Sequence, residues 1–352
     1  MPKQQKTVTT PLHTAVGTTT VGLDVGYGAT KVVTDNTKLI FTSVMGHATD
    51  LGYQEADIKR KHPGDVLVDD DGEWFVGDLA LQHLRSGDHL QLRGRTSNED
   101  GAGNAFRLRL AKVALGKLFM NVSDGDVLHL RLATGLPVDH MADAAELKRV
   151  LLGQHRIKTD TADFIANISE VFVMPQPMGT LYSQMLTDAG QINRHHTAVR
   201  TGVADVGRFS VDISLDDDGE FVRIESGSVE AGVYTVHERI GQILEQDHRQ
   251  KFSIRFIEET LRNGTITIAG QPMAYHRQVE EALEPLRNAT LNLMREKWGA
   301  AKTVDVIYLS GGGAELVYDQ VVDEYPQTIL IPDAQFANAR GYLNFAHFKA
   351  QA

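Results

Sequence analysis

One motif constrains this chain more than any other, because it occurs twice. In VGLDVGYGATKVV, residues 21–33, an apolar strand runs into Asp-Val-Gly, passes a glycine-containing turn and leaves as a second strand. VADVGRFSVDI, residues 203–213, does the same. Around each motif the pattern continues alike: three strands, then helices, then a further buried strand. Such a block folds as a mixed sheet covered by helices, so the chain is expected to form two α/β domains of duplicated architecture. At 352 residues there is length for two cores. Beyond the hairpin the halves share little sequence.

In the first block TTVGLDVG, TKVVTDN and KLIFTSVMG read as strands, and DVLVDDDGEWFVG as a hairpin around Asp-Asp-Gly. The spacing of Phe106, Leu110, Val113 and Leu118 predicts a helix. DVLHLRLATGLPVD reads as a buried strand, ADAAELKRVLLG as a helix, FIANISEVFVMPQP as a strand and MGTLYSQMLTDAG as a helix. The second block opens with TAVRTGVADVG, FSVDISLDD and GEFVRIESG as three strands. Helices follow over AGVYTVHERIGQILEQ, SIRFIEETLRNG and YHRQVEEALEPLRNATLNLMREKWG. VDVIYLSGGGAELV is a strand, a glycine turn and a helix, and TILIPDAQFANARGYLNF a last strand and closing helix. The acidic runs 69–71 and 216–218 read as hairpin turns, and Trp74 and Trp298 as packing residues.

The hairpins suggest a chemistry. A turn between two strands presents successive backbone N–H groups, and small residues let a phosphate reach them. Gly26 and Gly28 give that access in the first hairpin, with a hydroxyl from Thr30 and a cation from Lys31. Asp24, just before the turn, repels phosphate directly but attracts a hydrated Mg²⁺. Asp205, Gly207 and Ser210 take matching roles in the second. Two such hairpins are expected to clamp a triphosphate and its metal from both sides. YLSGGGAELV adds a strand that ends in Gly311, Gly312 and Gly313 before a helix, an arrangement that lets a base or ribose lie against the chain.

Charge and composition exclude other classes. The 46 acidic and 35 basic residues leave a net charge of −11, which argues against direct nucleic-acid binding. There is no cysteine, so disulfides and thiolate metal sites are ruled out, and a reducing cytoplasmic setting fits. The Thr-rich start has no secretory pattern and makes a poor amphipathic helix, so no membrane association is expected.

The order of GLDVGYGATK, TGLPVDH, VFVMPQP, VADVGRFSVDI, YLSGGGAELV and FANARGYL resembles the actin/DnaK-type/sugar-kinase ATPase superfamily. Within it the chain is most similar to bacterial actin-like plasmid-segregation proteins of the ParM/StbA type, over residues 21–343. The resemblance implies duplicated ribonuclease-H-like domains with a nucleotide cleft between them. It places a flexible tail at 1–17, domain I at 18–197, domain II at 198–343 and a C-terminal tail at 344–352. It implies that Asp24 and Asp205 hold Mg²⁺ through water. Gly26, Tyr27, Gly28 and Lys31 would line the ATP phosphates from one side, and Gly207, Arg208 and Phe209 from the other, with Gly311, Gly312 and Gly313 behind the adenosine. Gln176 would orient the attacking water, with Asp24 and Asp205 completing the catalytic set. Arg208 and Phe209 depart from the Gly/Thr-rich second loop usual in the family. The implied activity is Mg-dependent ATP hydrolysis coupled to head-to-tail polymerisation, serving plasmid segregation through a DNA-bound adaptor. Two alternatives share the fold: a small-molecule kinase, for which Asp212 is the candidate acid–base residue, and a nucleotide-gated binding module with little hydrolysis. Residues 237–239 stand near the place expected for ribose and base.

Overall fold

The computed structural model describes residues 17–91 and 102–351, so the expected tail lies outside the described residues up to residue 16. The chain divides into two compact units. The first takes Met1–Leu136, His140–His196 and Asn338–Ala352, and the second Pro137–Asp139 and Thr197–Ala337.

The first unit runs β1 (Thr19–Val25), β2 (Ala29–Val33), β3 (Lys38–Thr42), β4 (Met45–His47), α1 (Glu55–Lys61), β5 (Val66–Asp69), β6 (Gly72–Val76) and α2 (Gly77–His83). It continues through α3 (Ala102–Leu118), β7 (Val127–Leu136), α4 (Ala144–Leu151), β8 (Gly153–Lys158), β9 (Asp163–Pro175) and α5 (Gln176–Met185). Its main sheet has the order β3-β2-β1-β7-β9-β8. β1, β7 and β9 are parallel, while β2, β3 and β8 pair antiparallel with their neighbours. β1 is buried at every position from Thr20 onward, as a strand covered on both faces must be. Phe106, Leu110 and Val113 of α3 are buried against this sheet and Leu118 is partly so, as their spacing predicts.

The segment KLIFTSVMG is two strands rather than one. Ser43 turns inward to bond Thr30, and β4 leaves the main sheet for a small one of order β4-β6-β5. That sheet is tied to α3 by three ion pairs: Lys117 Nζ to Asp65 Oδ1 at 2.6 Å, Arg109 Nε to Asp69 Oδ2 at 2.7 Å, and Arg109 to Asp71 in the β5–β6 turn. The Arg109 guanidinium also lies 4.2 Å above the ring of buried Trp74.

The second unit runs β10 (Arg200–Val206), β11 (Val211–Asp217), β12 (Glu220–Phe221), β13 (Gly227–Val229), α6 (Val233–His248), α7 (Ile254–Asn263), β14 (Thr265–Ile268) and β15 (Gln271–Ala274). α8 (His276–Trp298), β16 (Val306–Ser310), α9 (Ala314–Glu324) and β17 (Thr328–Leu330) follow, and α10 (Ala337–Gln351) closes the chain. The sheet order is β12-β11-β10-β16-β17, with β13 also paired to β11. β10 and β11 form the antiparallel hairpin, and β16 and β17 add parallel strands. The two main sheets thus share one plan: a hairpin feeding a parallel set.

The expected third strand of this block, GEFVRIESG, breaks after β12 into a short turn and resumes as β13. The break is held by side chains. Ser226 Oγ donates to Val222 O at 2.8 Å, Arg200 engages Glu225 at 2.6 Å, and Trp298 Nε1 donates to Glu225 O at 2.8 Å.

The expected C-terminal tail, residues 344–352, is also corrected. Residues 337–351 are helix α10, and from Asn338 they belong to the first unit, not to the second as the expected boundary at 343 had it. Ala339, Tyr342, Leu343 and Ala346 are buried along its inner face. The chain returns to the first unit because α10 packs backbone to backbone there. A Cβ built on Gly341 would lie 1.6 Å from Gly179 O of α5, a contact only glycine allows. Among the described residues no helix is long and apolar enough to cross a membrane.

Candidate functional site

In the first unit, Asp24 stands next to the end of β1 and the hairpin register sets it opposite Lys31. Directly opposed residues share a face of the sheet, so the two side chains meet: Lys31 Nζ lies 3.0 Å from Asp24 Oδ2. Asp24 is only 3% exposed, and a carboxylate that buried requires a counter-charge. Gly26, Tyr27 and Gly28 form the half-buried turn between the strands. A Cβ on Gly26 would come within 2.9 Å of Ala29 O and 3.3 Å of Lys31 Nζ, so glycine keeps this turn open above the Asp24–Lys31 pair. Tyr27 Oη lies 3.4 Å from His140 Nδ1. Thr30 differs from its expected place. Its hydroxyl is fully buried and bonds Ser43 Oγ at 2.9 Å, beneath the turn.

Gln176 is the first residue of α5, immediately after β9. Asp24 and Gln176 therefore sit at the carboxyl ends of parallel β1 and β9, the edge at which open α/β sheets bind ligands. Gln176 is buried, and its Nε2 lies 3.5 Å from Asp24 Oδ1. Its backbone carbonyl accepts a bond from Tyr342 Oη of α10 at 3.3 Å. Gln176, far from Asp24 and Lys31 in sequence, thus joins them in one polar group.

The second unit repeats the geometry with different side chains. Asp205 stands at the corresponding place in β10, 8% exposed, opposite Asp212 in the hairpin and beside Ser310 of parallel β16. Gly207 N–H donates to Ser210 O at 2.8 Å, which closes the turn. The turn rests on the start of α6, where Tyr234 N–H donates to Arg208 O at 2.8 Å and Val233 N–H to Gly207 O at 3.2 Å. Arg208 is half-buried, with its guanidinium 5.7 Å from the Phe209 ring and 5.9 Å from that of Tyr234. The Phe209 and Tyr234 rings themselves lie 4.7 Å apart. Cation and rings thus pack as one layer over the second turn.

Gly311, Gly312 and Gly313 link β16 to α9 at the same edge of this sheet. Gly311 has φ +91°, and a Cβ there would lie 2.3 Å from Asp205 Oδ1 and 2.4 Å from Val206 O. A Cβ on Gly313 would meet Val233 of α6 at 2.6 Å. Gly312 alone of the three is uncrowded: a Cβ there would make only an ordinary contact, with Gln335 Nε2 at 3.7 Å. The glycine turn, the Gly207–Ser210 turn and the start of α6 therefore converge on Asp205.

Asp212, the residue read as a kinase acid–base group, is fully buried and committed elsewhere. Ser210 Oγ donates to its Oδ2 at 2.7 Å, Ser228 Oγ to its Oδ1, and Val138 N–H also bonds it. Burial pushes its carboxyl above the usual range. With its oxygens taken by three donors it is poorly placed to receive a substrate proton. Sequence spacing missed its neighbour in this role, Val138, and missed buried Arg107 of α3. Burial pulls the Arg107 guanidinium down, against the opposing influence of Tyr27 and Asp143.

His237, one turn into α6, is 7% exposed and its Nδ1 has no hydrogen-bond partner among the described residues. Burial, then the Arg208 guanidinium, pushes its pKa down to about 4. A depressed imidazole contributes stability that is present above the unfolded value near 6.5 and lost as pH falls toward 4. The loss is on the order of 3 kcal/mol. In urea unfolding, the stability gap between wild type and His237→Gln should therefore narrow as pH falls from 6.5 to 4. A gap that does not change with pH would contradict the depressed imidazole.

Both sets of residues fit a hydrated divalent cation and a phosphate chain. Each unit offers one buried carboxylate beside a glycine-opened turn at the carboxyl edge of its sheet. Among the described residues no group of three or more His, Asp or Glu could ligate a metal directly.

Family models match both units. That of the actin-like protein N-terminal domain matches residues 22–179, and that of the C-terminal domain of the archaeal MreB-like actin homologue matches residues 203–323. No curated protein sequence matches the chain. Solved structures share the fold. A 15-stranded ParM filament from Clostridium botulinum superposes with a TM-score of 0.71 at 24% identity, covering 94% of this chain and 99% of that one. An archaeal actin homologue in complex with ADP gives a TM-score of 0.71 at 21% identity, covering 93% and 99%. Bacillus thuringiensis ParM with ATP gives 0.67 at 13% identity, covering 95% and 100%. The two family models follow one another along the chain and fall on the two duplicated sheets, and the chain belongs to the actin-like protein superfamily.

Proposed function

We propose that this protein is an Mg-dependent ATPase that polymerises head to tail on ATP and hydrolyses it within the filament. One observation carries the reading: each unit sets a buried aspartate beside a glycine-opened turn at the same position of the same sheet plan. Asp24 and Asp205 would hold Mg²⁺ through its waters. When bound, the ion supplies positive charge to the phosphate oxygens as negative charge develops on them. The turn N–H groups of residues 26–28 and 207–209 would receive phosphate oxygens, with Lys31 and Arg208 as fixed cations. Lys31 would then exchange part of its bond with Asp24 for the nucleotide. Gly312 leaves room for the nucleoside side. Gln176 would hold the attacking water by hydrogen bonds, since a neutral amide cannot take its proton.

Polymerisation follows the ParM likeness, one of whose members is seen as a filament. An open filament needs a heterologous contact that does not close on itself. Segregation of plasmid DNA in the cytoplasm through a DNA-bound adaptor is the cellular role that fits. The acidic charge of −11 favours an adaptor over direct contact with DNA.

The test is 90° light scattering after adding Mg–ATP over a range of protein concentrations, with phosphate release followed in parallel. Scattering is expected only above a threshold concentration, with phosphate release rising alongside it. Flat scattering with nucleotide bound would leave the binding-module reading. Phosphate release stimulated by a metabolite would favour the kinase.

A further inference from the structure

Two exposed patches of the second unit carry opposite charge and lie at opposite ends of α8. The first is the connection from α6 to α7. Arg249, Lys251 and Arg255 fall within seven residues there, with no carboxylate between them. All three are exposed, and among the described residues none makes an ion pair. Ile254 and Phe256 beside them are exposed too. This tip is held in place by a row of rings. His248, Phe252 and Phe256 follow one another at 5.6 and 6.0 Å, and His248 Nε2 lies 2.9 Å from Oη of buried Tyr275, the residue before α8.

The second patch is the outer face of α9 with strand β17. Glu315, Asp319 and Asp323 recur at every fourth residue and so form one row on the helix. They are exposed, and among the described residues none makes an ion pair. Like charges at this spacing weaken a helix, and a carboxylate in the last turn, as Asp323 is, opposes the helix dipole. Beside α9, β17 is an edge strand that pairs only with β16, and it exposes Ile329. A bare edge with an exposed apolar residue is a surface that folded proteins normally cover. This patch is fixed to the far end of α8: Arg295 Nε donates to Glu324 Oε1 at 2.6 Å, and Tyr325 Oη donates to Gly299 O at 2.8 Å. With 23 residues, α8 sets the two patches about 34 Å apart.

We propose that the basic α6–α7 tip of one copy docks on the acidic α9–β17 face of the next. The proposal rests on the reading that the protein polymerises head to tail, and it names the surfaces that meet. The cations of the tip neutralise the α9 row, and Ile254 and Phe256 cover Ile329 at the sheet edge. Because the two surfaces differ and lie at opposite ends of one helix, the contact is heterologous and leaves a tip and a face free for further copies.

The experiment is 90° light scattering with Mg–ATP on two charge-reversed chains. One carries Lys251→Glu and Arg255→Glu at the tip, the other Asp319→Lys and Asp323→Lys on α9. Each alone sets like charges against one another, and its threshold concentration is expected to rise about tenfold or more. Mixed in equal amounts, the two restore opposite charges at every contact, and the threshold is expected to return to within about threefold of wild type. Misfolding cannot produce such mutual rescue. A tip variant that polymerises as wild type does would assign the tip to a different acidic partner and overturn the contact. The second readout does not depend on filaments. The chain has no cysteine, so Ile254→Cys and Ile329→Cys chains, mixed with Mg–ATP and a flexible bis-maleimide, report this pairing alone. Dimers holding one of each are expected in about tenfold excess over those formed by either chain by itself. Wild-type scattering without that excess would overturn the contact and leave polymerisation standing. The excess without scattering would refute polymerisation and keep the contact.

Discussion

Gly341→Ala is expected to lower the stability of the first unit by on the order of 3 kcal/mol or more. Three glycines on three elements meet where α10 lies against β1 and α5. A Cβ on Gly341 would stand 1.6 Å from Gly179 O and 2.7 Å from Ser183 N. One on Gly179 would meet Asn338 Cα and O at 2.7 Å, and one on Gly22 would meet Ala339 O at 2.0 Å. The obstructing atoms are mostly backbone, so no side chain can rotate away. To admit a methyl group the helices must separate, and the bonds across the contact then stretch. Thr180 N–H and Oγ donate to Asn338 Oδ1 at 3.0 and 2.8 Å, and Asn344 Nδ2 donates to Leu186 O at 3.2 Å. Urea unfolding followed by a probe in the first unit measures the effect. Gly87→Ala is the control, because its Cβ would meet no atom within 4 Å, and it should stay within about 0.5 kcal/mol of wild type. A Gly341→Ala midpoint as close to wild type as the control would mean that α10 does not approach α5 as described.

That contact also shows where the sequence ceases to be readable. The hairpins are legible because their signal is local: an apolar run, an aspartate, a glycine turn and a second run, within thirteen residues in the first case. The Asp24–Lys31 pair follows from the same register. Gly22, Gly179 and Gly341 share no local period, so nothing along the chain announces that the last helix returns to the first unit. The β14–β15 hairpin escaped for a different reason. Its turn is Ala269–Gly270, both at positive φ, where the usual signal is Asn-Gly or Asp-Gly. Strand β8, GQHRIK, alternates too weakly to stand out, because only Ile157 is buried along it. Asp212 was visible as an inward strand residue, yet Ser228 lies on another strand and Val138 on a distant connection. Gln176 could be placed at the end of a strand from the sequence, but not beside Asp24, which depends on the parallel order of β1, β7 and β9.

Gln176→Ala is expected to slow ATP hydrolysis about 100-fold and to leave nucleotide affinity within about threefold of wild type. The asymmetry follows from position. Gln176 stands beside Asp24 at the carboxyl edge of the sheet, while the turn N–H groups and Lys31 that would bind the phosphates are untouched by its removal. Truncation to alanine also keeps the backbone carbonyl that Tyr342 bonds, so α5 stays seated. Single-turnover phosphate release gives the rate, and titration with a fluorescent ATP analogue gives the affinity. An unchanged rate would remove Gln176 from water positioning. A fall in affinity as large as the fall in rate would make it a ground-state binding residue instead. Gln176→Glu separates positioning from base catalysis. A second carboxyl some 3.5 Å from Asp24 would have its pKa raised by the like charge and by burial. Hydrolysis by that variant should therefore rise with pH through an ionisation that wild type lacks, because only the deprotonated form can accept a proton from water. A wild-type profile that already contains this ionisation would assign the base to another residue.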